Sequence, residues 1–171
     1  MRQWIRLGLD VLLPRTCPTC DRPLPAGVAS PLCAPCVAAI VTPVASACAR
    51  CGGALAAGAS CPSCAKRCPA FASARSLGPY RPGDPRDVLA RAVQQLKYHG
   101  CRVLAGPLAE LLAAHYRFPE DALLVPVPLH VSRLRARGYN QAVLLARGLA
   151  RRRGLACGPR VLVRIRATAE H

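Results

Sequence analysis

The sequence predicts a chain of mixed α+β and α/β character, a small cysteine-braced module followed by a larger region in which helices alternate with short strands. Three observations carry this. Four Cys-x-x-Cys pairs fall within residues 17–64. Helical periodicity with clear stop signals recurs at 87–99, again after Gly100, and at 140–153. Loose alternation at 71–77 and 161–166 and a short apolar run at 123–128 lie around those helices and read as strands. The basic stretch 64–69 separates the two patterns, so the boundary is placed at 68/69, giving units 1–68 and 69–171.

The cysteines are the strongest local signal. The pairs are Cys17/Cys20, Cys33/Cys36, Cys48/Cys51 and Cys61/Cys64, separated by 12, 11 and 9 residues. Each pair forms a turn that aims two sulfurs at one point, and two such turns complete a tetrahedral thiolate cage. Pro18 and Pro62 stiffen two of the turns. Gly52 follows Cys51 where the chain often needs a positive φ, and Asp21 holds the matching place after Cys20. In a reducing compartment this spacing reads as two structural zinc ions rather than disulfides or a redox pair, the last of which wants a single motif beside a βαβ unit. Two pairings of the turns are open. Short loop closures favour the sequential one over an interleaved one. Val37–Val44 links the two halves. Cys68, Cys101 and Cys157 read as small half-buried residues.

Composition narrows the function classes. The chain has 171 residues, 52% of them hydrophobic but only 4% aromatic, so its core is aliphatic and alanine-rich. The formal charge is +16, and all the basic residues except Lys66 and Lys97 are arginine. Eight thiolates and two Zn²⁺ lower this only to about +12. A field this positive favours phosphates, nucleic acid or an acidic partner. Arg2–Leu13 has an amphipathic helical pattern, but Asp10 interrupts it and no cleavage site follows. No run reaches the roughly 18 apolar residues of a membrane span. The expectation is a cytoplasmic protein without stable membrane insertion.

Within the second unit, Asp87–His99 places Leu89, Ala92, Val93 and Leu96 on one helix face, and Gly100 ends it. The next helix carries Pro107 near its first turn and Leu108, Leu111, Leu112 and His115 on one face. Glu120 and Asp121 mark a turn. Leu123–His130 then opens as a buried strand whose Pro126 and Pro128 each remove a donor on the same side. A central strand does not tolerate that, so Pro126–His130 is placed at the rim of a sheet. Arg133, Arg135 and Arg137 follow in a basic loop, and Asn140 begins a helix with Ala142, Leu145, Ala146 and Leu149 inward, ended by Gly154. A strand, a basic loop and a helix N-terminus together suit an anion. From these residues alone, a strand–turn–helix with solvated arginines fits as well. Thr168–His171 closes the sequence.

The order of motifs resembles the ComF family of bacterial proteins tied to competence and DNA uptake. The residues that carry the resemblance are the four Cys-x-x-Cys pairs, Tyr80, Leu96-Lys97-Tyr98-His99-Gly100, Val125-Pro126-Val127-Pro128-Leu129, Arg137-Gly138-Tyr139-Asn140-Gln141-Ala142 and Arg164-Ile165-Arg166-Ala167-Thr168. The resemblance implies a double zinc ribbon ahead of a Rossmann-like, type I phosphoribosyltransferase-like α/β domain. It implies that Arg133, Arg137, Gly138, Asn140 and Gln141 lie near the pyrophosphate of phosphoribosyl pyrophosphate. Lys97, Tyr98 and Gly100 match a motif of that family whose role the residues do not reveal.

One departure shapes the functional expectation. Type I phosphoribosyltransferases have a strand ending in two acidic residues, then a Thr-Thr-Gly-type loop for the 5′-phosphate. The aspartates here are Asp10, Asp21, Asp84, Asp87 and Asp121, and none ends a strand before such a loop. The chain is therefore read as a truncated member with an incomplete domain, inactive as a transferase in this form. The expected role is binding of phosphate or single-stranded DNA, with the DNA-uptake machinery as partner. The alternatives are an active phosphoribosyltransferase, using phosphoribosyl pyrophosphate, when full length, and a zinc-ribbon remnant without function.

Overall fold

The computed structural model describes residues 15–40, 47–56, 58–67 and 69–168. The N-terminal helical pattern, the later part of the 37–44 connector, Cys68 and the last three residues lie outside them. The described elements in order are α1 (Ala34–Ile40), α2 (Pro62–Arg67), α3 (Val88–Tyr98), a 3-10 turn (Arg102–Leu104), α4 (Ala105–His115), β1 (Leu123–Leu124), α5 (Val131–Arg137), α6 (Gln141–Arg153) and β2 (Ala156–Cys157). The architecture is a double ribbon followed by a mostly helical region with a two-stranded parallel sheet, in which Leu123 pairs with Ala156 and Leu124 with Cys157.

The helices begin and end where local chemistry directs. Asp87 caps α3: one carboxylate oxygen accepts from Ala90 N–H at 2.8 Å and the other from Arg81 N–H at 2.7 Å. Gly100, at φ +69°, turns the chain away. Asn140 caps α6 by accepting from Ala142 N–H at 2.8 Å, and Gly154 closes it in the left-handed region. Helices α4 and α6 form the most extensive helix pair. Their contact depends on small side chains, since a Cβ on Gly148 would stand 2.8 Å from the Cβ of Ala109. Arg153 donates from α6 to the carbonyls of Ala113 and Tyr116, satisfying the end of α4.

The main core joins the two halves of the chain. Cys17, Leu32, Cys36 and Ile40 of the first ribbon pack in one cluster with Leu77, Val88, Ala92, Leu96, Leu104, Ala105, Leu108 and Tyr139. A smaller cluster of Ala109, Ala113 and Leu149 seals α4 against α6.

Several strand expectations are corrected. Residues 71–77 form no strand, because Ala74 N–H bonds to Arg50 O in the second ribbon at 2.6 Å, so that stretch is spent on the ribbon. Residues 161–166 form no strand either, and the second strand is instead 156–157. The 123–128 strand stops at Leu124, two residues before the first of its two prolines. The stretch read as a basic loop is helical: α5 runs through all three arginines, with His130 as N-cap and Gly138 at φ +75° as its stop. No doubly wound sheet is present among the described residues.

The α4–α6 contact yields a paired expectation. Gly148→Ala should lower stability by about 1–3 kcal/mol, since the helices must separate to admit the methyl group. Gly106→Ala, in open space on α4, should be neutral or gain up to about 1 kcal/mol from helix propensity. Urea unfolding of both variants checks this, and equal effects would contradict the packing described.

Candidate functional site

The first ribbon is built from two short devices, and the second repeats them. In the first, Cys17 N–H bonds to Arg22 O at 2.8 Å, and Asp21 N–H to Cys17 O at 2.8 Å. In the second, Cys48 N–H bonds to Gly53 O at 2.8 Å, and Gly52 N–H to Cys48 O at 2.9 Å. Each knuckle turns through a positive φ, at Asp21 (58°) and Gly52 (72°). The remaining cysteine pairs open short helices, with Val37 N–H bonded to Cys33 O and Ala65 N–H to Cys61 O. An isolated antiparallel bridge closes each turn, Thr16 with Pro23 and Ala47 with Ala54.

These devices bring the sulfurs together in sequential sets. Cys17, Cys20, Cys33 and Cys36 form one cluster and Cys48, Cys51, Cys61 and Cys64 the other, each with its sulfurs within 4.8 Å of one another. The Cys20–Cys33 and Cys51–Cys61 sulfurs are 3.6 Å apart and those of Cys48 and Cys64 3.8 Å. Four sulfurs around a zinc at about 2.3 Å stand about 3.8 Å from each other. A disulfide needs about 2.05 Å. The spacing therefore fits two zinc ions and excludes disulfides at these contacts.

The electrostatics agree. Burial acts to raise the Cys17 thiol, but the Thr19 hydroxyl and the backbone at Cys33 and Thr19 bring it down to about 6. Backbone N–H groups at Cys51 and Arg50 lower Cys48 to about 6. Desolvation, with the neighbouring sulfurs, pushes Cys36 and Cys64 up to about 12. In each cage one thiol ionises readily and its charge opposes the others. A bound dication removes that opposition, so all four can act as thiolates. Thr19, only 3% exposed, adds a hydrogen bond to the Cys17 sulfur at 3.1 Å.

The two ribbons differ in setting. Cys17 and Cys36 are part of the main core, whereas all four cysteines of the second cage are half-buried. The second ribbon is instead held by residues 69–75. Arg50 donates to Pro69 O at 2.6 Å, and Arg75 to Ala49 O at 2.6 Å. A Cβ at Gly52 would lie 2.9 Å from Ala74 O, so both the φ and the close approach require glycine there.

A second constellation lies in the helical region. Lys97, Tyr98 and Gly100, at the end of α3, face Arg133, Ala136 and Arg137 of α5 across a cleft of about 400 Å³. The α5 residues are spaced i, i+3, i+4, which puts them on one helix face. The cations rest on aromatic rings: Arg137 lies 5.3 Å from the Tyr98 ring centre and Lys97 5.8 Å from that of Tyr80. Tyr139 ties the α5–α6 turn to α3 through its hydroxyl on Leu96 O, and Arg102 lies 4.4 Å from its ring centre.

Of the residues expected at a phosphate site, Arg133 and Arg137 line this cleft. Gln141 accepts from Arg137 at 2.7 Å and so orients the guanidinium. Asn140 is a cap, and its amide donates to Val127 O at 3.0 Å. Gly138 closes α5, with its carbonyl facing Arg102 at 3.4 Å. Arg133 also reaches Thr168 O. The cleft is thus formed by a helix face rather than by the N-terminus of α6. Lys97, Tyr98 and Gly100, whose role residue type did not reveal, lie opposite α5. His115 is exposed and bonded to Leu111 O. A larger cavity of about 770 Å³ lies elsewhere, between the first ribbon and α4, and its Arg152 and Glu110 pair with each other at 3.5 Å.

Residues 8–65 match a family model described as a double zinc ribbon domain. No curated protein matches the chain, and no solved structure does. Among the described residues, no helix is long and apolar enough to cross a membrane.

Metal analysis of the purified protein should find two zinc ions per chain, falling to one in Cys48→Ser. Thr19→Val should keep both ions but weaken the first site about tenfold or more, the usual effect of losing an outer hydrogen bond to a ligand. Competition with a chromophoric chelator measures both. An unchanged affinity in Thr19→Val would show that its hydroxyl does not support the cage.

Proposed function

We propose that this chain is a ComF-like protein, associated with competence and DNA uptake, in which a double zinc ribbon supports a phosphoribosyltransferase-like region that binds phosphate groups. The observation that carries the reading is the convergence of Lys97, Tyr98 and Gly100 with Arg133 and Arg137 on one cleft. Two stretches far apart in sequence, both belonging to the motif order, meet at one cationic surface. Guanidinium forks and an ammonium suit phosphate, and the aromatic rings beneath them suit a nucleic-acid strand. The described lining of the cleft is cationic and aromatic, Lys97, Tyr98, Arg133 and Arg137, which suits binding of phosphate. Single-stranded DNA is the proposed ligand, and phosphoribosyl pyrophosphate is the ligand of the alternative, transferase reading. The units 1–68 and 69–171 belong to the same reading.

The test is fluorescence anisotropy with labelled oligothymidylate, with pyrophosphate as competitor. Binding should weaken steeply with salt, and pyrophosphate should compete. Arg137→Glu together with Lys97→Glu should reduce affinity about tenfold or more and flatten the salt dependence by about two phosphate contacts. Arg151→Glu, outside the cleft, should have a smaller effect. Equal losses at the two places would replace the cleft with diffuse attraction. Release of pyrophosphate from phosphoribosyl pyrophosphate by this chain would overturn the binding-only reading.

A further inference from the structure

The two cages share their ligand type and differ in how their sulfurs are held. In the first, Cys17 and Cys36 are core residues, and the half-buried Cys20 and Cys33 pack against that core. In the second, Cys48, Cys51, Cys61 and Cys64 are all half-buried, and among the described residues none belongs to or packs against either core cluster. The reaction of a thiolate with an oxidant follows its exposure. It also requires the sulfurs to move, since a disulfide closes them to about 2.05 Å. The core resists that movement in the first cage and does not oppose it in the second.

The residues around the sulfurs widen the contrast. The Thr19 hydroxyl lies 3.1 Å from the Cys17 sulfur and engages electron density that an oxidant would attack. Arg50, in the matching place of the second ribbon, reaches away to Pro69 O. Lys66 and Arg67 follow Cys64 in α2. Partial exposure among cations is the setting in which cysteines react. The second cage also divides into two pairs that together use every ligand, Cys51 with Cys61 at 3.6 Å and Cys48 with Cys64 at 3.8 Å. Closing both pairs leaves the ion without a thiolate.

We propose that the second cage is an oxidation-sensitive zinc site. A two-electron oxidant such as hydrogen peroxide converts its four thiolates to the disulfides Cys51–Cys61 and Cys48–Cys64 and expels the ion, while the first cage keeps its own. In each pair one sulfur attacks a peroxide oxygen, breaking the O–O bond and giving a sulfenic acid and hydroxide. The other sulfur attacks the sulfenic sulfur, forming the S–S bond and displacing a second hydroxide. Two peroxides thus accept four electrons, four protons turn the hydroxides into water, and Zn²⁺ leaves. The consequence is local. Residues 69–75 are attached to this ribbon through Arg50, Arg75 and the Ala74 N–H on Arg50 O, so loss of the cage frees them. This rests on the contrast between the cages and not on the phosphate-binding reading of the cleft.

The test treats the zinc-loaded full chain with hydrogen peroxide beside a chromophoric zinc indicator. One equivalent of zinc should appear about tenfold or more faster than the other, as exposure directs. Peptide mapping after the fast phase should find Cys51–Cys61 and Cys48–Cys64. Hydrogen exchange at that stage should be faster at 69–75 and unchanged in α3 and α4. A thiol reductant with added zinc should restore two ions. Cys48→Ser, holding its one ion in the first cage, should show the slow release alone. The mapping on the unaltered chain decides the matter even where that variant folds poorly. Release of both ions at one rate, earlier loss from the first cage, or no release would overturn the proposal. So would any other pairing, or sulfinic acids in place of these disulfides.

Discussion

The first sulfur cage lies inside the core rather than beside it. Cys17 is 0% exposed and Cys36 5%, and both pack in the cluster that includes Leu96, Leu104 and Leu108 of the helical region. Desolvation and the neighbouring sulfurs raise the Cys36 thiol, while at Cys17 burial is outweighed by hydrogen bonds from Thr19 and the backbone, which lower it, so charge on one sulfur opposes charge on the next. A dication makes the cage possible, and the cage holds Leu32 and Ile40 where α3 can cover them. Metal binding is thereby coupled to the fold of the helices as well as to that of the ribbon.

The two ribbons share their local hydrogen-bond pattern and differ in what surrounds it. Each has a knuckle through a positive φ and a second cysteine pair opening a short helix. Where the first ribbon has helices against it, the second has residues 69–75, attached by Arg50 and Arg75. Thr19 occupies the same place in its pair that Arg50 occupies in its own. One supports a sulfur with a short buried hydroxyl, the other reaches outward to carbonyls. The same scaffold thus serves once as core and once as an exposed module secured by arginine.

What was legible in the sequence follows from how local each signal is. The cages were legible because Cys-x-x-Cys spacing reports turn geometry directly, and the sequential pairing agrees with short loop closure. Helices α3 and α6 were legible through Asp87, Gly100, Asn140 and Gly154, which cap by their own side chains or φ angles. Helix α5 was missed because none of its residues is buried, so it has no apolar face to give a period. Its signals were the cap at His130 and the stop at Gly138. The strands at 71–77 and 161–166 were over-read because alternation describes a chain able to pair, not one that finds a partner. The first gives its backbone to the second ribbon, and the second has no ladder within the described chain. The cleft was half legible: Arg133 and Arg137 stood out by charge, whereas Lys97 and Tyr98 join them only through the packing of α3 against the Tyr139 turn.

The central claim is that the first cage supports the helical region and the second does not. Hydrogen exchange read by mass spectrometry on Cys36→Ser and Cys64→Ser, each loaded with zinc, tests it most directly. The account predicts that Cys36→Ser speeds exchange throughout Val88–Tyr98 and Ala105–His115. It predicts that Cys64→Ser confines the change to the second ribbon and residues 69–75. Helices as protected in Cys36→Ser as in the unaltered protein would contradict it.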